Sequence, residues 1–391
     1  MNTFMIYIPT RVLFGVGMLN NLHQQKAIGK KAMITVSSGE SMKANGYLKR
    51  VEEQLTKASV AYSIFDEIES NPTKDTIMRG AVAARKSGCD FIVALGGGSV
   101  MDASKAIAAM ATNDGDIWDY VSGGTGKGKL ITASPLPIIA ITTTAGTGSE
   151  VDAWGVISNP DTNEKIGFGG DDRLFPVLSI VDPALMITIP PVFTAYQGFD
   201  AFLQAVECYV SKFANLMSDM YALTVIEAIG KYLARAVKNG DDIEAREKVA
   251  FANTISGMTM VASCTTSEHS LEHAMSAYHS NLPHGAGLIM ISKAYFSHLI
   301  EKHICDDRFI VMAKTLGIEK ADSPQAFITA LSQLQEDCGV ANLKMSDYGF
   351  SKKEFKQLAE CAKETMPGLF TADRIDITVS DCINIFDNSY A

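Results

Sequence analysis

The sequence DFIVALGGGSVMDASKAIA, at residues 90–108, contains the pattern from which we predict the fold. Residues 90–95, which are apolar after Asp90, have the length of a buried strand, and three glycines follow directly. Ser99 can cap a helix at that point, and Asp102, three residues later, completes a capping-box pattern. The stretch therefore predicts a strand, a glycine turn and a helix, which is the repeating unit of a parallel sheet with helices on both faces.

The glycines of this turn suit a phosphate group. Without Cβ atoms the backbone can approach a phosphate closely, and the following helix N-terminus supplies free N–H donors. A tight turn without a ligand would have the same sequence, and neither GxGxxG nor GxxxxGK[ST] is present. A second turn of this kind, TTAGTGS at 143–149, follows a predicted strand at 138–142. Two such turns favour a bound nucleotide, because parallel sheets bind ligands beyond the carboxyl ends of their strands.

Hydrophobic periodicity divides the chain into two halves of different character. In the first half we also predict strands at 31–37, 61–65, 165–168 and 177–181, and a helix that begins at Asn71–Pro72 and ends near Gly88. In the second half we predict helices at 193–213, 218–238, 243–264, 285–303, 323–337 and 351–365. We therefore expect an α/β domain over residues 1–185 and an all-helical domain over 186–391, with a site in the cleft between them.

Composition excludes several classes of protein. The 391 residues carry a formal net charge of −10, and we find no cluster of Lys and Arg that would bind nucleic acid or an anionic membrane. No apolar run approaches the ~20 residues of a membrane span, and no signal peptide is predicted. The seven cysteines are scattered and form no CxxC pair. We therefore expect a cytoplasmic protein with reduced thiols.

The helical half contains a set of side chains suited to a metal. Asp200 and Gln204 are one turn apart on a predicted helix, and His269 and His273 have the same spacing. Together with His284, Asp200 and His269 would give three ligands and leave positions open, as a catalytic metal requires. A histidine pair four residues apart also occurs as an ordinary packed pair, so that alternative stays open for the pair alone.

Several ordered motifs resemble those of the iron-containing (group III) alcohol dehydrogenases, whose relatives include glycerol dehydrogenase and dehydroquinate synthase. The motifs are GGGSVMDASKAIA (96–108), TTAGTGSEV (143–151), VDP (181–183), GFDAF (198–202), HSLEH (269–273) and PHGAG (283–287). The resemblance covers nearly the whole chain. It implies an N-terminal α/β dinucleotide-binding domain and an all-helical, metal-binding C-terminal domain, the fold shared with dehydroquinate synthase.

The resemblance also implies roles for individual residues. Asp200, His269 and His284 match metal ligands, and His273 matches a histidine often given a catalytic proton-relay role. The pyrophosphate loop is matched by Gly97, Gly98, Ser99 and Asp102, and further cofactor contacts by Asn71, Thr143, Thr144, Thr147 and Lys165. Gln204 stands where most iron-dependent members have a histidine ligand. Whether Gln204 coordinates, and whether the metal is iron or zinc, is left open because an amide is a weaker donor than imidazole.

The cofactor and the reaction follow from the same resemblance. Ser38 occupies the position where NAD-preferring relatives often have an aspartate, and Ser41 and Lys43 could reach a 2′-phosphate, so we expect NADP(H), with NAD as the alternative. The expected function is a metal-dependent NAD(P)-linked alcohol dehydrogenase or aldehyde reductase that transfers hydride to or from a small substrate. We expect a homodimer or a larger homo-oligomer.

Two other functions are compatible with parts of the sequence. A lyase-type enzyme like dehydroquinate synthase would need a basic pocket, and we see no Arg/Lys cluster near the predicted ligands. A nucleotide-binding protein with a degenerate metal site would explain Gln204. Cofactor binding without metal or turnover would favour that last alternative.

Overall fold

The computed structural model describes residues 3–26 and 28–390, and these form two compact units. The α/β unit comprises Ile8–Thr144 and Gly148–Thr188. The helical unit comprises residues 3–7, the short segment Ala145–Thr147 and residues 189–390. The segment 145–147 belongs to the second predicted glycine turn, so this turn contributes residues to both units.

The α/β unit is built on a six-stranded parallel sheet with the order β1-β8-β5-β4-β2-β3. Strands β4, β5 and β8 are buried along their whole length, which explains why they are continuous apolar runs in the sequence. Strands β6 and β7 form a separate antiparallel pair. The strands are β1 (Arg11–Phe14), β2 (Lys31–Ser37), β3 (Ala61–Ile68), β4 (Phe91–Gly96), β5 (Ile138–Thr142), β6 (Trp154–Asn159), β7 (Glu164–Gly169) and β8 (Leu178–Val181).

Four helices accompany these strands: α1 (Ser41–Ala44), α2 (Tyr47–Lys57), α3 (Lys74–Ser87) and α4 (Gly98–Met110). The side chain of Thr73 caps α3, which ends at Gly88 with a left-handed φ of 68°. Helix α4 begins directly after β4, and its N-cap is Gly97, without any side-chain cap. The predicted capping box of Ser99 and Asp102 is therefore wrong, because both residues lie inside the first turns of α4.

The helical unit contains no strand among its described residues. Its helices are α5 (Pro191–Val210), α6 (Leu216–Lys238), α7 (Ile243–Ala262), α8 (Ser267–Tyr278), α9 (His284–Glu301), α10 (Asp306–Thr315), α11 (Gln325–Asp337), α12 (Phe355–Thr365), α13 (Pro367–Ala372) and α14 (Val379–Ser389). Helix α5 is buried from Thr194 to Val210 apart from Gln197, and it packs against α6, α7 and α9. Polar residues on α5 are therefore in the interior of the unit.

The predicted class, an α/β part followed by a helical part, is confirmed by this architecture. Within residues 3–26 and 28–390 we find no helix with the length and apolar character needed to cross a lipid bilayer.

Candidate metal centre

Three elements of the helical unit bring Asp200, His269 and His284 together. Asp200 lies in the middle of α5, His269 in the first turn of α8, and His284 is the first residue of α9. The start of α9 approaches the α5 backbone so closely that a Cβ at Gly285 would lie 2.1 Å from the carbonyl oxygen of Tyr196. Glycine is required there, and this close approach sets His284 beside the α5 turn that carries Asp200.

The donor atoms of these three side chains converge. Asp200 Oδ1 is 3.6 Å from His269 Nε2 and 3.7 Å from His284 Nε2. Ligands about 2.1 Å from a tetrahedral metal would be separated by roughly 3.4 Å, close to both distances. His269 Nε2 is buried and has no hydrogen-bond partner among the described residues. A buried nitrogen without a partner is costly, and a divalent metal would satisfy it. The residues present therefore fit a metal.

Two buried carboxylates face the other nitrogens of the two histidines. Glu207 Oε1 accepts a hydrogen bond from His269 Nδ1, and Glu272 Oε2 accepts one from His284 Nδ1. Each bond fixes the proton on Nδ1 and leaves Nε2 as the ligand atom, as outer carboxylates do in many metal sites. Burial opposes a charge on His269, but the Glu207 and Asp200 carboxylates outweigh it and raise its pKa well above the ordinary value, so these carboxylates draw a cation, whether a proton or a metal, to its imidazole.

The sequence did not assign a role to Glu207 or Glu272. Glu207 lies one turn beyond Gln204 on the Asp200 face of α5, and Glu272 lies between the two histidines of HSLEH. Both are fully buried. The signal that could have identified them was a carboxylate within two helical turns of a proposed ligand on the same helix, because a buried acid needs a partner.

Gln204 does not have the contacts of a ligand. Its Nε2 donates to Asp200 Oδ1 at 2.7 Å, and its Oε1 accepts from Ser256 Oγ at 2.7 Å. The atom nearest the ligand oxygen is thus an amide nitrogen, which carries protons and has no lone pair to give a metal. In this structure Gln204 therefore contacts Asp200 and Ser256 as a hydrogen-bond partner.

His273 lies next to this centre on α8. Its ring centroid is 5.3 Å from that of His284 and 6.2 Å from that of His269. Its Nδ1 is 2.8 Å from Met366 Sδ. Glu272, His273 and His284 also form a group whose donor atoms lie within 4.8 Å of one another. The structure thus brings the predicted relay residue to the edge of the predicted ligand set.

The two glycine turns of the α/β unit meet at neighbouring strands. Gly96 at the end of β4 pairs with Thr142 at the end of β5, so the following residues leave the sheet side by side. A Cβ at Gly97 would lie 2.7 Å from Thr144, and the backbone N–H of Asn71 donates to Ser99 Oγ at 3.3 Å. Asn71 itself has a left-handed φ of 55°. The predicted residues Asn71, Gly97, Ser99 and Thr144 are therefore close together, with Gly98 and Thr143 adjacent in the chain.

The other predicted cofactor residues have different positions. Asp102 uses both carboxylate oxygens inside the unit, accepting from Ser149 Oγ at 2.7 Å and from the Val156 N–H at 2.9 Å. Lys165 is a buried residue of β7, in the separate two-stranded sheet. Ser38 follows β2, and its N–H donates to the Ile68 carbonyl. Thr147 belongs to the segment that groups with the helical unit.

Comparison with known proteins gives consistent matches along the chain. Residues 9–183 match the family described as iron-containing alcohol dehydrogenase, and residues 194–390 match the C-terminal part of the Fe-containing alcohol dehydrogenase family. Alcohol dehydrogenase 4 of Schizosaccharomyces pombe is 34% identical over 368 residues, covering 93% of this chain and 84% of the relative. NADH-dependent butanol dehydrogenase A of Clostridium acetobutylicum is 31% identical over 403 aligned positions that cover all of both chains.

Solved structures show the same similarity. An archaeal halo-thermophilic alcohol dehydrogenase from a Red Sea brine pool, bound to NZQ, superimposes with a TM-score of 0.93 at 35% identity and covers 99% of each chain. A sulfoacetaldehyde reductase from Bifidobacterium kashiwanohense, in complex with NAD+, superimposes with a TM-score of 0.86 at 28% identity. It covers 100% of this chain and 99% of its own length.

Proposed function

The chain belongs to the iron-containing alcohol dehydrogenase family, and we propose that it interconverts a small alcohol and its aldehyde at a metal held by Asp200, His269 and His284. Membership of the family makes it a metal-dependent, nicotinamide-linked oxidoreductase that acts on alcohols. The observation that carries the proposal is the convergence of Asp200 Oδ1, His269 Nε2 and His284 Nε2. The metal is iron or zinc, since one carboxylate and two imidazoles suit both.

A bound divalent metal would act as a Lewis acid on the oxygen of the alcohol or aldehyde. Glu207 and Glu272 keep the two imidazoles in the tautomer that offers Nε2. We assign His273 the task of moving the alcohol proton, because imidazole exchanges protons near neutral pH.

For the cofactor we propose that the glycine turn after β4, with Asn71 and Thr144 beside it, binds the pyrophosphate. We favour NADP(H) over NAD because Ser38, rather than a carboxylate, follows β2. Lys43, which would meet the 2′-phosphate, is exposed and paired with Asp66 at 2.8 Å. An exposed pair of this kind contributes little, so a phosphate can compete for Lys43. NAD remains the alternative, because one relative is described as NADH-dependent and one similar structure contains NAD+.

We place the domain boundary between residues 185 and 186 and expect a homodimer or larger homo-oligomer. All seven cysteines are free thiols, which supports a reducing compartment such as the cytoplasm.

The function can be tested by hydride transfer. Protein stripped of metal and reloaded with Fe²⁺ or Zn²⁺ is mixed with NADH or NADPH and a panel of short aldehydes, and with the oxidised cofactors and the matching alcohols and diols. Absorbance of the reduced nicotinamide should change only with the metal-loaded protein. Cofactor binding with no turnover across the panel and both metals would support a degenerate site instead.

A further inference from the structure

Gln204 takes part in a short buried chain of hydrogen bonds that ends on Asp200. Ser256 on α7 donates from Oγ to Gln204 Oε1, and Gln204 Nε2 donates to Asp200 Oδ1, both at 2.7 Å. Gln204 and Asp200 are each only 4% exposed, and Ser256 is fully buried. In such surroundings hydrogen bonds hold a side chain in one orientation, because an unmade bond is costly.

The partners determine which way the amide faces. If the amide were turned over, its oxygen would lie against a carboxylate oxygen of Asp200, and two acceptors would repel each other. The Ser256 hydroxyl has a second possible acceptor, the carbonyl oxygen of Ala201, at 3.0 Å. This distance is longer than the 2.7 Å to Gln204 Oε1, so the hydroxyl proton favours the amide oxygen. In the observed orientation the amide nitrogen faces the Asp200 carboxylate and the amide oxygen faces the Ser256 hydroxyl.

Asp200 is confined on its other oxygen as well. A Cβ at Gly146 would lie 3.1 Å from Asp200 Oδ2 and 3.0 Å from the carbonyl oxygen of Gln197. The loop that carries Gly146 is tied to α5 by the bond from the Ala145 N–H to Gln197 Oε1 at 3.1 Å. The carboxylate therefore lies between a close-packed backbone segment at Oδ2 and the Gln204 amide at Oδ1.

We propose that Gln204 is a positioning residue, which holds Asp200 Oδ1 toward His269 and His284 by donating an amide hydrogen bond, with Ser256 fixing the amide from behind. The inference rests on the metal site of the proposed function. It means that the chain offers three protein ligands, one carboxylate and two imidazoles. Gln204 then donates a hydrogen bond to one of these ligands and is not itself a ligand. Two histidines and one carboxylate with open positions is a ligand set typical of Fe²⁺ sites.

The test uses Co²⁺ as a probe, since its visible absorption bands report the number and kind of its ligands. Co²⁺ affinity is measured by competition with a chelator, and the spectrum is recorded for the metal-free full chain titrated with Co²⁺. The variants are Gln204→Met, which keeps the length of the side chain but lacks donor and oxygen, and Ser256→Ala. Gln333→Met is the matched control, because Gln333 donates to Asp337 one helical turn away at 3.2 Å on an exposed face. Gln204→His shows how the bands change when a ligand is added.

We expect Gln204→Met to weaken Co²⁺ binding by about 10- to 100-fold, as the loss of an outer partner does, while its bands stay those of the wild type. Ser256→Ala should weaken binding by about 3- to 10-fold, because the amide loses one neutral hydrogen bond. A change of the bands in Gln204→Met, or tighter binding in Ser256→Ala, would show that the glutamine oxygen coordinates and would overturn the proposal. Unchanged affinity in both variants would overturn it too.

Co²⁺ binding by the wild type tests the metal site, and the variants test the role of Gln204. A wild-type chain that binds no Co²⁺ would contradict the metal site itself, whereas band changes in the variants contradict only the role of Gln204. If Gln204→Met does not fold, as judged by circular dichroism, Ser256→Ala alone tests the positioning role, because it removes a single oxygen.

Discussion

Replacing Glu207 by glutamine changes one atom of a buried side chain and should disable His269 as a ligand. Glu207 Oε2 accepts from the N–H of Thr266 at 2.8 Å and from Thr266 Oγ1 at 2.9 Å. The N–H of His269 is 3.4 Å from the same oxygen. Three donors therefore require an oxygen at this position, and glutamine must turn its NH₂ group to the other side.

On that other side the NH₂ group meets His269 Nδ1, which at present donates to Glu207 Oε1. Two donors cannot pair, so the imidazole must move its proton to Nε2, the atom that faces Asp200. Metal and proton then compete for the same nitrogen. We expect the affinity for Zn²⁺ or Fe²⁺ to fall by about 10- to 100-fold, or about 1.4 to 2.8 kcal/mol.

The assay is metal affinity by chelator competition at one pH, with the tautomer of His269 followed by NMR on protein carrying ¹⁵N-labelled histidine. Glu354→Gln is the control, because Glu354 accepts from His279 Nε2 at 2.9 Å outside the candidate metal centre. It should leave metal affinity unchanged. The reasoning is refuted if Glu207→Gln binds metal as tightly as the wild type, or if its His269 keeps the proton on Nδ1.

Three further predictions concern the cofactor, the stability and the proton path. Asp66→Asn releases Lys43 and should shift the kcat/KM ratio toward NADPH by about 2- to 5-fold; an unchanged ratio would mean that Lys43 does not meet the 2′-phosphate. Burial raises the pKa of the Asp102 carboxyl to about 6, above its ordinary 3.8. The folded chain therefore binds this proton more tightly than the unfolded chain does, and the stability that the protonated carboxyl contributes is lost as the pH rises through 6. Between about pH 4 and pH 7 the free energy of unfolding of Asp102→Asn should therefore rise relative to that of the wild type, and parallel pH profiles of the two proteins would contradict the assignment. His273→Gln should lower kcat for alcohol oxidation by about 100-fold near neutral pH and recover part of it at high pH, where hydroxide takes the proton; a kcat within a few-fold of the wild type would exclude the relay.

Much of the α/β unit could be predicted from the sequence because its central strands are buried on both faces. Strand β4 was predicted at 90–95 and found at Phe91–Gly96, and β5 was predicted and found at residues 138–142. Strand β1, with four residues, and strand β6, in the separate two-stranded sheet, were not predicted. These two segments lack the continuous apolar run that identified β4 and β5.

The ligand set of the metal centre could be proposed from residue types, but the outer partners could not. Aspartate and histidine are common metal ligands, so their spacing in the chain was informative. Glu207 and Glu272 act through contacts with histidines 62 and 12 residues away in the chain, which only the packing of α5, α8 and α9 reveals. The orientation of the Gln204 amide likewise depends on Ser256, a residue on another helix.

The claim that Asp200, His269 and His284 hold the metal that hydride transfer requires can be tested by one paired measurement. Wild-type protein and Asp200→Asn are purified without chelator, their metal content is determined by elemental analysis, and the rate of NAD(P)H oxidation by an aldehyde substrate is measured on the same samples. The account predicts about one iron or zinc per wild-type chain and the loss of both metal and activity in the variant. Asp200→Asn protein that retains its metal and its rate would contradict it.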